Sequence, residues 1–84
     1  MKGTRIDNPP GLLKPGEYGK IDGYWHGCPP QEHVGFGALF ANLSGHDITE
    51  HEDGTITVSP SILITQHDGQ TWHGYLERGV WREC

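Results

Sequence analysis

Asp53-Gly54 stands between two alternating runs, DITE at 47–50 and TITV at 55–58, and this arrangement constrains the chain more than any other feature. An Asp-Gly step reverses a strand because its glycine takes a positive φ at no steric cost. The flanking runs place apolar β-branched residues at every second position, the period of a half-buried strand. HDITEHEDGTITVSP therefore reads as an antiparallel hairpin. Its charged residues, Glu50, His51, Glu52 and Asp53, gather where a hairpin tip meets water. Glu50 and Glu52 alternate onto one side of that tip. Paired carboxylates do acid–base work when one is buried, and nothing in this stretch predicts burial.

The rest of the chain carries the same signature. Thirteen glycines and six prolines among 84 residues disfavour helix interiors and favour a turn-rich all-β domain. Pro9, Pro10 and Pro15 make residues 1–15 an extended Pro-rich N-terminal arm, pinned by Leu12 and Leu13 to a single small β domain over 16–84. EYGKIDGYWH, 17–26, reads as one strand with a bulge at Gly23, where the alternation fails. GCPPQEHVG is a loop. GFGALFANL, 35–43, is a second strand, with a short helix over 38–43 as the alternative.

Ser59-Pro60-Ser61 breaks or bends the hairpin's return strand, and SILIT resumes it. The consecutive Ile62, Leu63 and Ile64 predict burial on both faces. QHDGQ makes another turn. TWHGYLERGVWREC closes the chain as a hairpin turning at Glu77-Arg78-Gly79, with Trp72, Gly74 and Leu76 on one face and His73, Tyr75 and Glu77 on the other. The expected fold is a small antiparallel sheet of five to six short strands. It curls as a barrel or a two-layer roll, which reduces exposed edges.

Charge and cysteine content narrow the function classes. The formal charge is −5, and the six basic residues, Lys2, Arg5, Lys14, Lys20, Arg78 and Arg82, are dispersed along the chain. Phosphate binding needs them clustered, so nucleic acid is not the expected partner. MKGTRIDNPP holds no apolar segment long enough for a signal peptide, and no stretch is long enough to span a bilayer. Cys28 and Cys84 are fewer thiols than a secreted scaffold of this size carries, so a cytoplasmic protein with reduced cysteines is expected. So short a chain has a thin stability margin, to which a homo-oligomer, a metal ion or a partner protein would add.

Three sets of residues are candidates for chemistry. His26, Cys28, His33, His73 and Cys84 are the candidate zinc ligands, because zinc takes four Cys or His donors. His26 and Cys28 are two apart, so both point one way from a strand. His33 follows in the loop, and His73 faces them across the sheet. The competing reading is surface histidines and a buried thiol. Ser59 or Ser61 with His73 and Asp68 makes a formal triad, but no GxSxG elbow is present and a proline-flanked strand serine is ordinarily structural. The rings form the third set. Trp72 and Trp81 are assigned to the core. Tyr24, Trp25 and Tyr75, joined by His73, are assigned to an exposed patch that binds a partner, since aromatics dominate interface hot spots. The expected protein is a non-enzymatic binder without a cofactor.

SPSIL, WHGYL and GVW together carry a resemblance. The chain resembles, over residues 46–82, small phage-encoded proteins of unknown function in which a Pro-Ser-Ile strand precedes a Trp-His-Gly-Tyr/Phe segment and a short final strand. The resemblance implies a phage accessory protein that acts in the host cytoplasm on a host or phage protein. Some related phage proteins look zinc-ribbon-like, with a CPxC segment and a further cysteine before the WHG. Here CPPQ has Gln31 at the second cysteine position, and Gln70 precedes Trp72-His73. Half of that pattern's thiols are missing, which weakens the alternative of a metal-stabilised, degenerate zinc-ribbon domain.

Overall fold

The computed structural model describes residues 1–30, 41–65 and 71–84, and all regular structure among them is β. The strands are β1 (Thr4–Arg5), β2 (Glu17–Ile21), β3 (Tyr24–Gly27), β4 (Ala41–Asn42), β5 (Asp47–Glu50), β6 (Ile56–Thr65), β7 (Thr71–Glu77) and β8 (Val80–Glu83). They form two four-stranded sheets, ordered β1-β2-β3-β4 and β5-β6-β7-β8. The all-β expectation holds as two layers, not as a closed barrel. The described residues contain eight strands rather than five or six, and β1 pairs with β2 in parallel, which the antiparallel expectation did not include. No helix among the described residues is long and apolar enough to cross a membrane.

Three reversals set the registers. EYGKIDGYWH is a hairpin and not one bulged strand: Asp22 (φ 52°) and Gly23 (φ 86°) turn the chain so that Ile21 pairs with Tyr24. Two successive positive φ values twist a two-residue loop to match its strands. The alternation fails at Gly23 because the chain reverses there. Arg78 (φ 47°) and Gly79 (φ 76°) close β7 onto β8 in the same way, at the expected turn. The β5–β6 hairpin also forms where Asp53-Gly54 predicts it. Its loop is held by His51 N donating to Thr55 O at 2.8 Å, and by Asp53 Oδ1 accepting from the Thr55 amide (3.0 Å) and hydroxyl (2.6 Å).

The Ser-Pro-Ser step is a bulge within β6. Val58 pairs with Leu76 and Ile62 with Gly74, so β6 advances four residues while β7 recedes by two. An insertion of two leaves the strand's in–out parity unchanged. Val58, Ile62 and Ile64 therefore all point inward and are buried, while Leu63 is 65% exposed. The expectation that the ILI run is buried on both faces is corrected: β6 is covered on one side only.

The core lies between the layers. Tyr18 and Leu43, from the first sheet and its margin, meet Ile56, Val58, Ile62, Leu76, Trp72 and Trp81 of the second. Trp81 is the hinge of this packing. Its ring makes edge contacts with Trp72 (centroids 5.6 Å, 88°) and Tyr18 (6.5 Å, 72°), and its Nε1–H donates to Gly16 O. The expected core positions of Trp72 and Trp81 are both observed.

The N-terminal residues connect the layers. The Met1 amine donates to Trp81 O (2.9 Å), Trp81 N returns a bond to Met1 O (2.7 Å), and Gly3 N reaches Gly79 O (2.7 Å), which covers the outer edge of β8. Thr4, Ile6 and Asn8 then donate to Gly16, Tyr18 and Lys20 along β2. Leu13 is buried and Leu12 is 80% exposed. The turn expected at 66–70, the loop after Pro30 and residues 35–40 of the expected second strand lie outside the described residues; Ala41–Asn42 is strand.

Candidate functional site

Alternation along β7 sends Trp72, Gly74 and Leu76 into the core and His73, Tyr75 and Glu77 to the outer face of the second sheet. Cross-strand pairing extends that outer row. Leu63 lies opposite His73, Arg82 opposite Tyr75, and Val80 opposite Glu77. Directly opposed residues project to the same side of a sheet. Val80 is 44% and Tyr75 37% exposed. The Arg82 guanidinium sits 5.4 Å from the Tyr75 ring centroid and pairs with the Glu77 carboxylate. A groove of about 380 Å³ runs beside the bulge, between Ser59-Pro60 and the Tyr75, Glu77 and Arg82 side chains.

Ser61, at the bulge, is held from two sides. His73 Nε2 lies 3.0 Å from its hydroxyl, and His46 Nε2 donates to its carbonyl oxygen at 3.3 Å. The formal triad thus gains a Ser61–His73 contact, while Ser59 lines the groove instead. Asp68 is outside the described residues, and no carboxylate among those described is hydrogen-bonded to His73.

The four residues assigned to an aromatic patch fall into two places. His73 and Tyr75 share the outer face of the second sheet. Tyr24 and Trp25 belong to β3 of the first sheet, and as neighbours along a strand they point to opposite faces. Tyr24 is 60% exposed. Trp25 packs against the core margin with Arg5 4.9 Å and Lys20 5.2 Å from its ring.

Among the described residues no three His, Cys, Asp or Glu side chains group as a metal site, and of the candidate zinc ligands only His73 and Cys84 are brought opposite each other, Cys84 N donating to His73 O at 2.9 Å. His26 Nδ1 donates to Tyr24 O at 2.8 Å. Cys28 is fully buried, and that burial, reinforced by the Glu17 carboxylate, pushes its thiol up to about 11, away from the thiolate that zinc requires. His33 lies outside the described residues, and Cys84 is exposed.

The acidic hairpin tip forms an open cleft of about 540 Å³ with Arg78 on its other side. Glu50 of this tip accepts from Arg5 Nη1 at 2.8 Å. Arg5 also forks onto Asp7, with Nε and Nη2 each 3.2 Å from one carboxylate oxygen, and donates to Gly54 O at 2.9 Å. These bonds from Arg5 hold Asp7 and Glu50 below the usual carboxylate range, and Thr55 does the same for Asp53. A general acid needs the opposite shift. The tip works as a clasp between layers. Arg5 carried no signal for this clasp in the sequence, because the partners that join it to the other layer, Glu50 and Gly54, lie 45 and 49 positions away.

Comparison with protein-family models, with curated proteins and with solved structures finds no match to this chain.

Proposed function

We propose that the protein is a non-enzymatic phage accessory protein that binds a host or phage protein in the host cytoplasm through the outer face of β6, β7 and β8. One observation carries the binding reading. Six large hydrophobic side chains are exposed among the described residues, and three of them, Leu63, Tyr75 and Val80, share this face. Large apolar side chains exposed on one face among polar neighbours mark a protein interaction site. Tyr75 and Arg82 are the side-chain types that concentrate binding energy at interface centres. The phage and host terms rest on the resemblance carried by SPSIL, WHGYL and GVW. This reading keeps His73 and Tyr75 from the expected patch and adds Leu63, Val80 and Arg82; it requires no cofactor.

The experiment is site-specific photo-crosslinking in the host. A benzophenone-bearing residue replaces Tyr75 in one strain, Leu63 in a second and the exposed Leu12 in a third. The expected result is one discrete adduct shared by positions 75 and 63 and missing at position 12. Identical adduct patterns at all three positions, or none at any, would contradict the proposal.

A further inference from the structure

We infer that His73 and Cys84 form half of a transition-metal site, completed by the same two residues of a second copy, so that one zinc ion joins two chains. The inference does not depend on the outer face binding another protein.

Register places the two residues together. Gly74 pairs with Glu83, and Cys84 N donates to His73 O at 2.9 Å, so Cys84 stands directly across from His73. Both side chains therefore leave the sheet on one face, with Cβ atoms about 5 Å apart. That spacing suits two ligands of one tetrahedral ion. A thiolate and an imidazole are the donors zinc selects. Both residues are exposed, so an ion reaches them without opening the fold.

His73 is also oriented as metal-binding histidines are. Such a ring holds its second nitrogen in a hydrogen bond that fixes its rotation and tautomer. Here Nε2 lies 3.0 Å from Ser61 Oγ. With Nε2–H donating to that hydroxyl, Nδ1 carries the free lone pair. Ser61 is itself fixed by His46 on its carbonyl.

Two donors do not hold zinc by themselves, and the described residues supply no third. A second chain related by a two-fold axis presents the same pair and completes a Cys2His2 set. Each Cys84 thiol releases its proton to solvent as its sulfur binds. Cys28 takes no part, since it is buried in the core.

The test is zinc chloride titration of the whole protein, kept reduced with a phosphine, read by sedimentation velocity. The expected result is a dimer complete at one zinc per two chains and dissociated by EDTA. Cobalt substituted for zinc should show thiolate-to-metal absorption. Cys84→Ser and His73→Gln should each remain monomeric, with denaturation midpoints in EDTA equal to the parent's. Ser61→Ala should still dimerise but need about tenfold more zinc, as for loss of an orienting partner. A sedimentation profile unchanged by zinc overturns the inference, and so does a zinc-dependent dimer that survives Cys84→Ser. Crosslinking at position 75 repeated with a chelator separates this outcome from the recognition reading.

Discussion

The Trp81 indole Nε1–H donates to the Gly16 carbonyl oxygen at 2.9 Å, joining two residues 65 positions apart across the layers. The same oxygen accepts from Thr4 N at 3.0 Å, so one carbonyl ties β8, the N-terminal segment and the start of β2. Trp81→Phe keeps an aromatic edge against Tyr18 and Trp72 but removes the donor, and should cost about 1–2 kcal/mol. Trp81→Ala also leaves a cavity and should cost about 3 kcal/mol or more. Urea denaturation followed by far-UV circular dichroism measures both, and an unchanged midpoint for Trp81→Ala contradicts the packing described.

Gly74 stands where no side chain fits. A Cβ there would collide with the Arg82 carbonyl oxygen and lie 2.6 Å from Trp72 Cη2. Gly45 has open space around the same position. Gly74→Ala should therefore prevent folding or lower stability by about 3 kcal/mol, and Gly45→Ala should change it by less than about 0.5 kcal/mol. Equal midpoints for the two variants would refute the close approach of Trp72 over β7.

The Arg5 clasp predicts acid sensitivity. Asp7 and Glu50 titrate lower in the folded chain than in the unfolded chain, chiefly through their bonds from Arg5. Their contribution is therefore present above the unfolded values and is lost as pH falls through the folded ones. Arg5→Ala should lower stability only slightly at neutral pH, since exposed pairs are weak and the stacking on Trp25 adds little more. It should also flatten the fall below about pH 4.5. Midpoints measured at neutral and acidic pH check this, and parallel profiles for parent and variant would exclude the clasp.

Cys28 predicts the alkaline limb. The unfolded thiol loses its proton near 9.0, whereas the folded one keeps it until about 11. The resulting stabilisation is complete below the unfolded value and is lost as pH rises through the folded one, a fall of roughly 2–3 kcal/mol. Tyr18, raised by burial, adds in the same direction. Cys28→Ala should show a shallower decline between about pH 9 and 11. An equally steep decline would mean that the thiol is not the titrating group.

Local chemistry was readable from the residues. Asp53-Gly54 and Arg78-Gly79 turn where they were expected to, and β7 alternates as TWHGYLE indicates. The missed elements depend on partners far away in the chain. Asp22-Gly23 was the same corner signal, hidden because Tyr24 and Trp25 continue the aromatic run and read as one strand. The outward turn of Leu63 follows from parity across a two-residue bulge, whereas an unbroken apolar run suggests two-sided burial. The second sheet's outer face was half legible: His73 and Tyr75 share it as expected, but Leu63, Val80 and Arg82 join them only through strand register. Arg5's part in holding the layers required the fold itself.

The outer face proposed for recognition is distinct from the core that holds the two sheets together. The most direct measurement is a paired one on Tyr75→Ala: yield of the adduct captured from position 63, and the urea midpoint of the same variant. The account predicts that the adduct is lost while the midpoint stays within about 0.5 kcal/mol of the parent's. Full adduct yield, or a loss matched by a fall in stability, contradicts it.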